Sequence, residues 1–329
     1  MDFKKSISVV IPNYNGKQLL ERYLPSVVAA LEFQNIDFEI IVIDDASKDD
    51  SVLFLIDKYA RVQLIKNDTN LGFSRTINKG IFAAKKELIL LLNSDVKLEQ
   101  DYFTQQFKYF KNQDTFGVMG RIMNFDGQKI EDAARVLTNK GFKFKANKFY
   151  YSENKNDLIY TAYLSGANAL VDRIKIQEIG GFDEIFSPFY FEDFDLGLRA
   201  WKMGWVCYYE HQSVCYHKVS ATTNTMKKSN LVKIIYHRNS YMLQAIHLKG
   251  FQKITYLIQI IFNSVLLNVL RGDFWILKSY LQFQQMHHQI NKSISNLRIL
   301  KTQKQSAIEI KDIKELIDTS VVNKKLKWL

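Results

Sequence analysis

The sequence is short of the residues that break a chain or cross-link it. It contains three prolines and two cysteines among 329 residues. So few prolines argue against long extended linkers. Cys207 and Cys215 lack the Cys-x-x-Cys spacing of zinc and redox sites, so we expect two ordinary buried thiols. The apolar run that starts at Ile7 stops at Pro12, which is too short for the core of a signal peptide.

Two glycine-rich motifs are also missing. The sequence has no Gly-x-Gly-x-x-Gly segment and no Gly-x-x-x-x-Gly-Lys-Ser/Thr segment. The first would cradle a dinucleotide, and the second would hold the phosphates of ATP or GTP. A nucleotide bound by this chain would therefore need a metal ion to hold its phosphates.

Acidic residues are scarce in the last third of the chain. Residues 201–329 hold 19 Lys and Arg against 6 Asp and Glu, whereas residues 1–200 hold 26 against 28. The net charge of +11 thus belongs to the C-terminal third, which indicates a surface for an anionic partner. A hydrophobic content of 47% excludes a disordered chain and predicts a globular, cytoplasmic protein.

The first hundred residues alternate between apolar runs and segments of helical periodicity. The apolar runs predict strands at 7–11, 38–43, 62–65 and 88–92. The helical spacing predicts helices at 18–33, 49–59 and 76–84. Continuously apolar strands separated by helices indicate an α/β fold with a mostly parallel sheet covered on both faces.

Three of the predicted strands end in polar clusters. These are Asn13-Tyr14-Asn15, Asp44-Asp45 and Asn93-Ser94-Asp95. Each cluster by itself is typical of a turn or a helix N-cap. Ligands bind at the carboxyl ends of the strands in such sheets, so three clusters along one edge favour a ligand site.

A dense acidic cluster follows the aromatic segment 189–191. Glu192, Asp193 and Asp195 would oppose the positive partial charge at the start of a predicted helix. Asp195 can also pair with Arg199, four residues later. These effects explain Asp195 but leave the adjacent Glu192 and Asp193 unexplained. A carboxylate at a helix start beside aromatic walls suits a general base.

Taken together, these motifs resemble family 2 glycosyltransferases of the GT-A fold. The resemblance runs over residues 6–220 and rests on segments 9–15, 42–47, 70–73 with Asn78, 91–96, 165–168, 180–184, 192–199 and His217. Around 93–95 and 192–193 the chain resembles bacterial rhamnosyltransferase-like members. The resemblance implies a Rossmann-like GT-A catalytic domain at 1–225 and a basic helical extension at 226–329.

The resemblance also implies which residues contact the nucleotide sugar. They are Pro12, Asn13, Tyr14, Asn15, Asp44, Asp45, Arg75, Asn93, Ser94 and Asp95. Tyr14 would stack on the base, Asp44 or Asp45 would bind the base or ribose, and Arg75 would lie near the base or the diphosphate. Segment 218–222 resembles a mobile loop that folds over the nucleotide.

A divalent cation, Mn²⁺ or Mg²⁺, is implied as the cofactor. Residues 93–95 stand where the family has its metal-binding Asp-x-Asp motif, and Asn93 in the first position would weaken metal binding or make it dispensable. The implied ligands are Asp95 and His217, and oxygen with imidazole suits these metals. From the residues alone, His217 is better explained as a structural histidine like His211.

Asp193 would be the catalytic base that takes a proton from an acceptor hydroxyl, in one displacement that inverts the anomeric configuration. Its acidic neighbours are expected to raise its pKa. Gly166, Ala167 and Glu192 would lie on the acceptor side. Segment 122–163 predicts an amphipathic hairpin in preference to an acceptor-binding element.

The C-terminal third predicts basic amphipathic helices. The 17-residue apolar run 254–270 carries three amides and predicts a poor membrane span. Basic helices with aromatic residues on one face suit a membrane interface. A helical cap on the catalytic domain and a homodimer interface are alternatives that the sequence leaves open.

The predicted function is inverting transfer of a sugar from a dTDP-rhamnose-type or UDP-sugar-type donor to a saccharide or lipid-linked saccharide. The reaction would serve the synthesis of cell-surface polysaccharide. It would take place at the inner face of the cell membrane. Nucleic acid is not expected, because residues 1–200 are slightly negative. A sugar nucleotidyltransferase would need a glycine-rich basic loop after the first strand, and 12–16 is not one. The alternative is a non-catalytic membrane- or glycan-binding protein on a transferase-like domain, and the intact Asp95, Glu192 and Asp193 argue against it.

Overall fold

The computed structural model describes residues 3–218 and 230–329 and opens with alternating strands and helices. In chain order these are β1 (Ile7–Asn13), α1 (Lys17–Gln34), β2 (Phe38–Asp44), α2 (Ser51–Lys58), β3 (Gln63–Lys66), α3 (Phe73–Ala83) and β4 (Leu88–Leu92). Every strand and helix predicted for the first hundred residues is confirmed, with small shifts at the ends.

The middle of the chain is richer in strands. It contains β5 (Val96–Leu98), a 3-10 turn (Phe107–Lys111), β6 (Thr115–Asn124), β7 (Ile130–Asp132), β8 (Ala134–Lys140), β9 (Lys143–Tyr151), β10 (Ile159–Tyr160), β11 (Asn168–Asp172), α4 (Arg173–Glu178), a second 3-10 turn (Glu184–Phe186), α5 (Glu192–Lys202) and β12 (Val206–His217). The predicted amphipathic hairpin is β8 and β9, which pair antiparallel.

The main sheet has ten strands within the described residues, in the order β10-β12-β6-β11-β4-β1-β2-β3, with β5 paired to β12 and β7 to β6. Strands β4, β1, β2 and β3 are parallel, as are β6 and β12, whereas β11 is antiparallel to both β4 and β6. All of β4 is buried, as expected for a strand covered on both faces. The predicted mixed, largely parallel α/β sheet is confirmed.

The polar clusters at the strand ends meet at one edge of this sheet. β1 and β2 end side by side, with Asn13 in register with Asp44. On the other side of β1, β4 ends at Leu92, immediately before the third cluster. A β-carbon on Gly16 would lie 2.3 Å from Asn13 Oδ1 and 3.5 Å from Ser94 Oγ. The first and third clusters are therefore neighbours in space.

Helices dominate the described chain after residue 229. They are α6 (Asn230–His247), α7 (Gly250–Leu270) with a π-helical stretch at Ile260–Leu266, α8 (Trp275–Gln285), α9 (His287–Gln303) and α10 (Ile310–Ser320), followed by β13 (Lys327–Trp328). β13 joins β9 and β8 in a small second sheet. Met242 of α6 and Ile313 and Ile317 of α10 are fully buried in the same core as the strands of the main sheet. This part of the region is a cap on the domain.

The helix α7 differs from its neighbours because much of its apolar surface is open. Tyr256 and Ile260 pack against the protein, but Phe251 is 75% exposed and Leu270 is 74% exposed. The predicted 17-residue run is part of a 21-residue helix that is, by length and composition, long and apolar enough to cross a membrane. α7 also packs along the domain on one side.

Candidate active site

The aromatic segment before α5 has an unusual backbone conformation. Tyr190 and Phe191 have φ angles of 76° and 75°, a region that non-glycine residues seldom adopt. Buried Asn239 of α6 places Nδ2 at 2.6, 2.9 and 3.0 Å from the carbonyl oxygens of Phe186, Phe189 and Tyr190. Strained backbone persists where surrounding contacts hold it, and it clusters at functional sites. The cap helix α6 thus fixes the backbone conformation of the segment that leads into α5.

One side of α5 faces the core and carries the buried side chains of Asp195 and Arg199. Asp195 Oδ2 lies 2.6 Å from Arg199 Nε, and Asp195 Oδ1 lies 2.9 Å from His247 Nε2. The predicted Asp195–Arg199 pair is therefore confirmed. Burial raises the pKa of Asp195, but Arg199 and His247 outweigh it and hold the pKa below its usual value. Asp195 is a structural residue that ties α5 to α6.

The start of α5 also presents Glu192 and Asp193 to a cavity. Oε2 of Glu192 and Oδ1 of Asp193 are buried, and neither has a hydrogen-bond partner among the described residues. Buried polar atoms without a partner are rare in folded proteins and call for an explanation. These two oxygens are available to a ligand.

Both of these carboxyl groups have raised pKa values. Burial raises the pKa of Glu192, and the adjacent Asp193 raises it further. Burial raises the pKa of Asp193 as well; the nearby Gly166 amide and Arg135 oppose this rise, and Asp132 adds to it. The predicted rise for Asp193 is confirmed, with burial rather than charge repulsion as the main cause. A raised pKa makes a carboxylate a stronger proton acceptor.

Gly166 allows the backbone to approach Asp193 closely. A β-carbon at this position would lie 2.7 Å from Asp193 Oδ1 and 3.0 Å from Phe73 Cζ. The next residue, Ala167, accepts a hydrogen bond from the Asn93 amide at 3.4 Å. The structure therefore brings the predicted acceptor-side residues Gly166, Ala167 and Glu192 next to residues 93–95, the predicted metal-binding motif.

A cavity of about 360 Å³ joins these groups. Predicted site residues in its wall are Asn93, Gly166, Ala167, Glu192, Asp193 and His217. The wall also contains Glu131, Asp132 and Ser165, together with apolar side chains that include Phe73 and Phe189. The volume suits a small molecule or one part of a larger one.

Strand pairing brings Asp95 and His217 together. β5 runs antiparallel to β12, so that His217 lies opposite Val96, the residue after Asp95. His217 Nε2 is 3.4 Å from Asp95 Oδ2, and His217 Nδ1 is 3.1 Å from Glu131 Oε2. Burial lowers the pKa of His217, but the two carboxylates outweigh it and raise the pKa above its usual value.

The Asp95–His217 pair has the chemistry of a partial cation site. Asp95 Oδ1 is buried and lacks a hydrogen-bond partner in the described chain. Carboxylate oxygen and imidazole nitrogen are suitable ligands for Mn²⁺. Within residues 3–218 and 230–329, no group of three or more His, Cys, Asp or Glu is placed to hold a metal alone. A cation here would take further ligands from substrate phosphates and water.

At the ends of β1 and β2, Asn13 and Asp44 form a buried pair. Asn13 Nδ2 donates to Asp44 Oδ1 at 3.1 Å, and the Ser47 amide donates to Asp44 Oδ2 at 2.9 Å. Asn13 Oδ1 has no partner among the described residues. Tyr14 is 50% exposed, so its ring is open to a ligand. Asn15 fixes the adjoining turn, because its Oδ1 accepts from the Lys48 amide at 2.7 Å.

Asp45 orders the loop that precedes α3. Its Oδ1 accepts from Asn67 Nδ2 at 2.9 Å and from the Leu71 amide at 2.8 Å. Its Oδ2 accepts from the Gly72 amide at 3.0 Å. Asp45 therefore has a structural role at the edge where a nucleotide was predicted.

The predicted nucleotide-side residue Arg75 is not brought to the cavity of Asp193. Arg75 on α3 pairs with Glu184 at 3.3 Å and lines a separate cavity with Asn78 and Glu184. The predicted nucleotide loop 218–222 lies, from residue 219 onward, outside the described residues.

A larger cavity, of about 640 Å³, adjoins the first. Asp132, Ser165, Glu192 and Asp193 line both cavities. The acidic pair at the start of α5 therefore lies where the two cavities meet. The far walls of the larger cavity come from β9 and α6 and include Lys143, Lys145, Tyr236, His237 and Gln244.

The sequence interpretation missed the contribution of segment 122–163 to these cavities. Asp132 accepts a hydrogen bond from Tyr163 and pairs with Arg135 at 2.8 Å. The Arg135 guanidinium lies 4.1 Å from the centroid of the Tyr163 ring. Asp132 reaches the site because β7 pairs with β6, a long-range contact that local patterns do not reveal. The three-residue spacing of Asp132 and Arg135 is no signal for this pair, because residues three apart are neighbours on a helix and these two lie in strands.

The two cysteines and His211 lie among contacts that indicate structural roles. Cys207 and Cys215 are free and buried, as predicted. His211 stacks on Tyr151 with centroids 4.3 Å apart, and its ring nitrogens lie 2.9 Å from the Tyr209 hydroxyl and 3.0 Å from Arg121 Nη1. Burial and Arg121 lower the pKa of His211 to about 4. His211 and His217 thus have opposite environments.

The sequence matches a known family and several of its relatives. The family model for glycosyl transferase family 2 matches residues 8–180. The chain is 23% identical over 263 residues to N-acetylglucosaminyl-diphospho-decaprenol L-rhamnosyltransferase of Mycobacterium tuberculosis, which covers 73% of this chain and 84% of the relative. It is 31% identical over 157 residues to poly(ribitol-phosphate) beta-N-acetylglucosaminyltransferase TarP of Staphylococcus aureus, over 45% of this chain and 46% of that one.

Two solved structures share the fold. GalNAc-T7, determined with UDP, GalNAc and Mn²⁺, superposes with a TM-score of 0.56 at 16% identity, over 74% of this chain and 48% of that chain. The mannosyltransferase PcManGT of Pyrobaculum calidifontis, in complex with GDP-Man and Mn²⁺, superposes with a TM-score of 0.55 at 13% identity, over 97% of this chain and 81% of that chain. At such identities the likeness concerns the fold, and the predicted GT-A fold is confirmed.

Proposed function

This chain belongs to glycosyl transferase family 2, and we propose that it is an inverting transferase that moves a sugar from a nucleotide-diphosphate donor to a saccharide or lipid-linked saccharide. One observation carries the proposal. The carboxylate of Asp193, whose Oδ1 has no hydrogen-bond partner in the described chain, lines the same cavity as His217, which lies 3.4 Å from Asp95. A base and a partial cation site therefore adjoin one space of substrate size.

The donor would bind along the edge formed by the ends of β1, β2 and β4. In this proposal the exposed ring of Tyr14 stacks on the base, and Pro12 and Asn15 lie against the nucleotide. Asn13 Oδ1 offers a hydrogen-bond acceptor to the nucleotide. Asp44 or Asp45 would bind the base or ribose. Asn93 and Ser94 would lie beside the diphosphate, and the role of Arg75 near the nucleotide stays a prediction.

The proposed cation ligands are Asp95 and His217. A divalent cation held there supplies positive charge that stabilises the departing diphosphate. Glu131 accepts the hydrogen bond of the other imidazole nitrogen and would fix the orientation of the ring, as carboxylates do around metal-bound histidines. Asn93 offers only a neutral oxygen, so Asp95 is the charged residue of the 93–95 motif.

Asp193 would act as the general base. Its ionised carboxylate takes the proton of an acceptor hydroxyl, the acceptor oxygen bonds to the anomeric carbon, and the bond from that carbon to the diphosphate breaks. One displacement of this kind inverts the anomeric configuration. Gly166 and Ala167 leave room for the acceptor beside the base, and Glu192, with its own unpaired oxygen, would bind an acceptor hydroxyl.

The acceptor would enter from the larger cavity. Tyr190, Phe191 and Tyr236 give it an aromatic wall, with the Phe191 and Tyr236 ring centroids 5.0 Å apart. Concave aromatic sites with a few polar groups suit sugar-sized ligands. The Mycobacterium tuberculosis relative is named as an L-rhamnosyltransferase that acts on a diphospho-decaprenol sugar. We therefore propose dTDP-rhamnose or a UDP-sugar as the donor, for cell-surface polysaccharide.

A nucleotide-sugar screen tests this function. The full-length protein is incubated with dTDP-, UDP- and GDP-sugars, with Mn²⁺, with Mg²⁺ or with chelator, and release of the nucleoside diphosphate is measured. We expect release from one nucleotide class that increases with a divalent cation. A protein that neither binds nor hydrolyses any of these donors would contradict the proposal and favour a non-catalytic binding protein.

We further propose that α7 and α8 rest on an anionic membrane surface at the inner face of the cell membrane. The open face, defined here as Phe251, Ile254, Ile258, Ile261, Phe262, Leu266, Leu270, Phe274, Leu277 and Leu281, is at least 40% exposed at every position. Residues 250–300 carry five Lys and Arg and one acidic residue, Asp273. Apolar residues beside cations suit an anionic lipid interface.

Vesicle co-sedimentation tests this contact. Wild-type protein should bind phosphatidylglycerol vesicles more tightly than phosphatidylcholine vesicles, and salt should weaken the binding. A variant with Phe251→Ser, Ile254→Ser and Ile258→Ser should bind more than about tenfold more weakly. Leu53→Ser, at an exposed residue of α2, is the matched control and should bind like the wild type. If the triple variant instead lost a dimer that the wild type forms, and vesicle binding were unchanged, the open face would be assigned to a second copy of the chain.

A further inference from the structure

Two lysines in the larger cavity lack a counter-charge. Lys143 and Lys145 lie two residues apart on β9, so their side chains are on the same face of the strand. Both line the cavity that also contains Glu192 and Asp193. Among residues 3–218 and 230–329, neither lysine has a carboxylate oxygen within ion-pair distance, although Lys108, Lys202 and Lys301 elsewhere do.

The position of Lys143 is fixed by the cap helix. Its Nζ donates to Ser240 Oγ of α6 at 2.9 Å. One turn later, Gln244 bonds to the backbone of Phe144 in both directions, at 3.1 Å to the amide and 2.8 Å to the carbonyl. Burial, together with the nearby Lys145 and Lys140, lowers the pKa of Lys143 to about 8. A half-buried ammonium held beside another cation is stabilised by a bound anion.

Charge is divided between the two ends of the cavity. The acids Asp132, Glu192 and Asp193 stand where it meets the smaller cavity, and the unpaired lysines stand on the β9 wall. Asp132 is already paired with Arg135. A ligand that matches this arrangement presents a hydroxyl to Asp193 and carries negative charge at another point.

We propose that Lys143 and Lys145 form a subsite for a phosphate or diphosphate group carried by the acceptor. The proposal rests on the proposed function, because it assumes that the acceptor sugar occupies this cavity. Two ammonium groups offer six N–H donors, of which Ser240 uses one. A phosphate group carries up to two negative charges and several acceptor oxygens, which matches this donor set better than the single charge of a sugar carboxylate.

Anion binding to the full-length protein tests the subsite. Inorganic pyrophosphate and glucuronate are titrated calorimetrically in the presence of chelator, so that no metal ion holds either probe. The variants are Lys143→Gln and Lys145→Gln. The control is Lys148→Gln, an exposed lysine of the same strand that does not line the cavity. Each cavity variant should weaken pyrophosphate binding about tenfold or more, and the control should match the wild type.

The outcomes separate this subsite from the proposed function. Equal pyrophosphate affinity in all variants, or no pyrophosphate binding, would overturn the subsite. Glucuronate binding as tight as pyrophosphate binding would overturn the phosphate assignment. Hydrolysis of the nucleotide sugar without acceptor is measured on the wild type in parallel, and its absence would contradict the transferase function without bearing on the subsite. Pyrophosphate binding through Lys143 in a protein that hydrolyses no nucleotide sugar would support the subsite and contradict the transferase function.

Discussion

Asp193 and Asp195 stand two residues apart on α5 and have opposite surroundings. Both oxygens of Asp195 are paired, with Arg199 and His247, and its pKa is lowered. Asp193 has an oxygen without a partner in the described chain, and its pKa is raised. The same residue type in the same helix turn therefore serves the fold in one case and remains available to a ligand in the other.

This difference shows how the protein separates stability from chemistry. The core face of α5 uses its polar groups to attach the cap helix α6. The cavity face keeps carboxylate oxygens unpaired at Glu192 and Asp193, and Asp95 does the same at the proposed cation site. Unpaired buried groups cost stability, and at Glu192, Asp193 and Asp95 a ligand in the proposed site would satisfy them.

The largest predicted effect on stability falls on the core face. Asp195→Asn leaves Arg199 buried without its counter-charge and should lower the free energy of unfolding by about 3–5 kcal/mol. Urea unfolding measures this change. Asp318→Asn is the matched control, because Asp318 pairs with Lys314 at the same helical spacing on the surface; its loss should stay near 0.3–0.5 kcal/mol. Equal losses in the two variants would contradict the structural role of Asp195.

The same variant makes a prediction about pH. The folded-state pKa of Asp195 is lowered, so its contribution to stability is present above the ordinary pKa of aspartate. That contribution is lost as the pH falls through the folded-state value. The difference in unfolding free energy between the wild type and Asp195→Asn should therefore shrink in acid. A difference that grows toward low pH would have the wrong sign for this account.

A smaller effect is predicted at the proposed cation site. Glu131→Gln should weaken Mn²⁺ binding about 10–100-fold, because the carboxylate no longer orients His217. Titration of donor hydrolysis with Mn²⁺ measures the affinity. Glu153→Gln, at a surface pair with Lys327, is the control and should leave the titration unchanged. An unaltered Mn²⁺ requirement in Glu131→Gln would remove Glu131 from the site.

The smallest effect is a shift in the pH profile. Asp193 must be ionised to accept a proton, so activity should fall as the pH drops below its raised pKa. Asp132 contributes to that rise, and Asp132→Asn should lower the pKa and extend activity to lower pH. The acidic limb of kcat/KM against pH measures this shift. A limb that moves to higher pH, or does not move, would contradict the assignment of the limb to Asp193.

The sequence predicted the features that depend on neighbouring residues. The apolar runs gave the parallel strands, and the four-residue spacing gave the Asp195–Arg199 pair. It could not predict contacts between distant segments. His247 meets Asp195 from 52 residues away, and Glu131 meets His217 from 86 residues away, through helix docking and strand pairing. The lysine pair on β9 was unremarkable in the sequence, because only α6 turns that face into a cavity wall.

The central claim is that the unpaired carboxylate of Asp193 serves catalysis and not the fold. The direct measurement is Asp193→Asn, followed for turnover, nucleotide-sugar affinity and unfolding midpoint in one preparation. We predict that turnover falls at least about a hundredfold, while donor affinity is retained and the midpoint is unchanged or higher. Near-normal turnover, or a loss of activity accompanied by a lowered unfolding midpoint, would contradict the account.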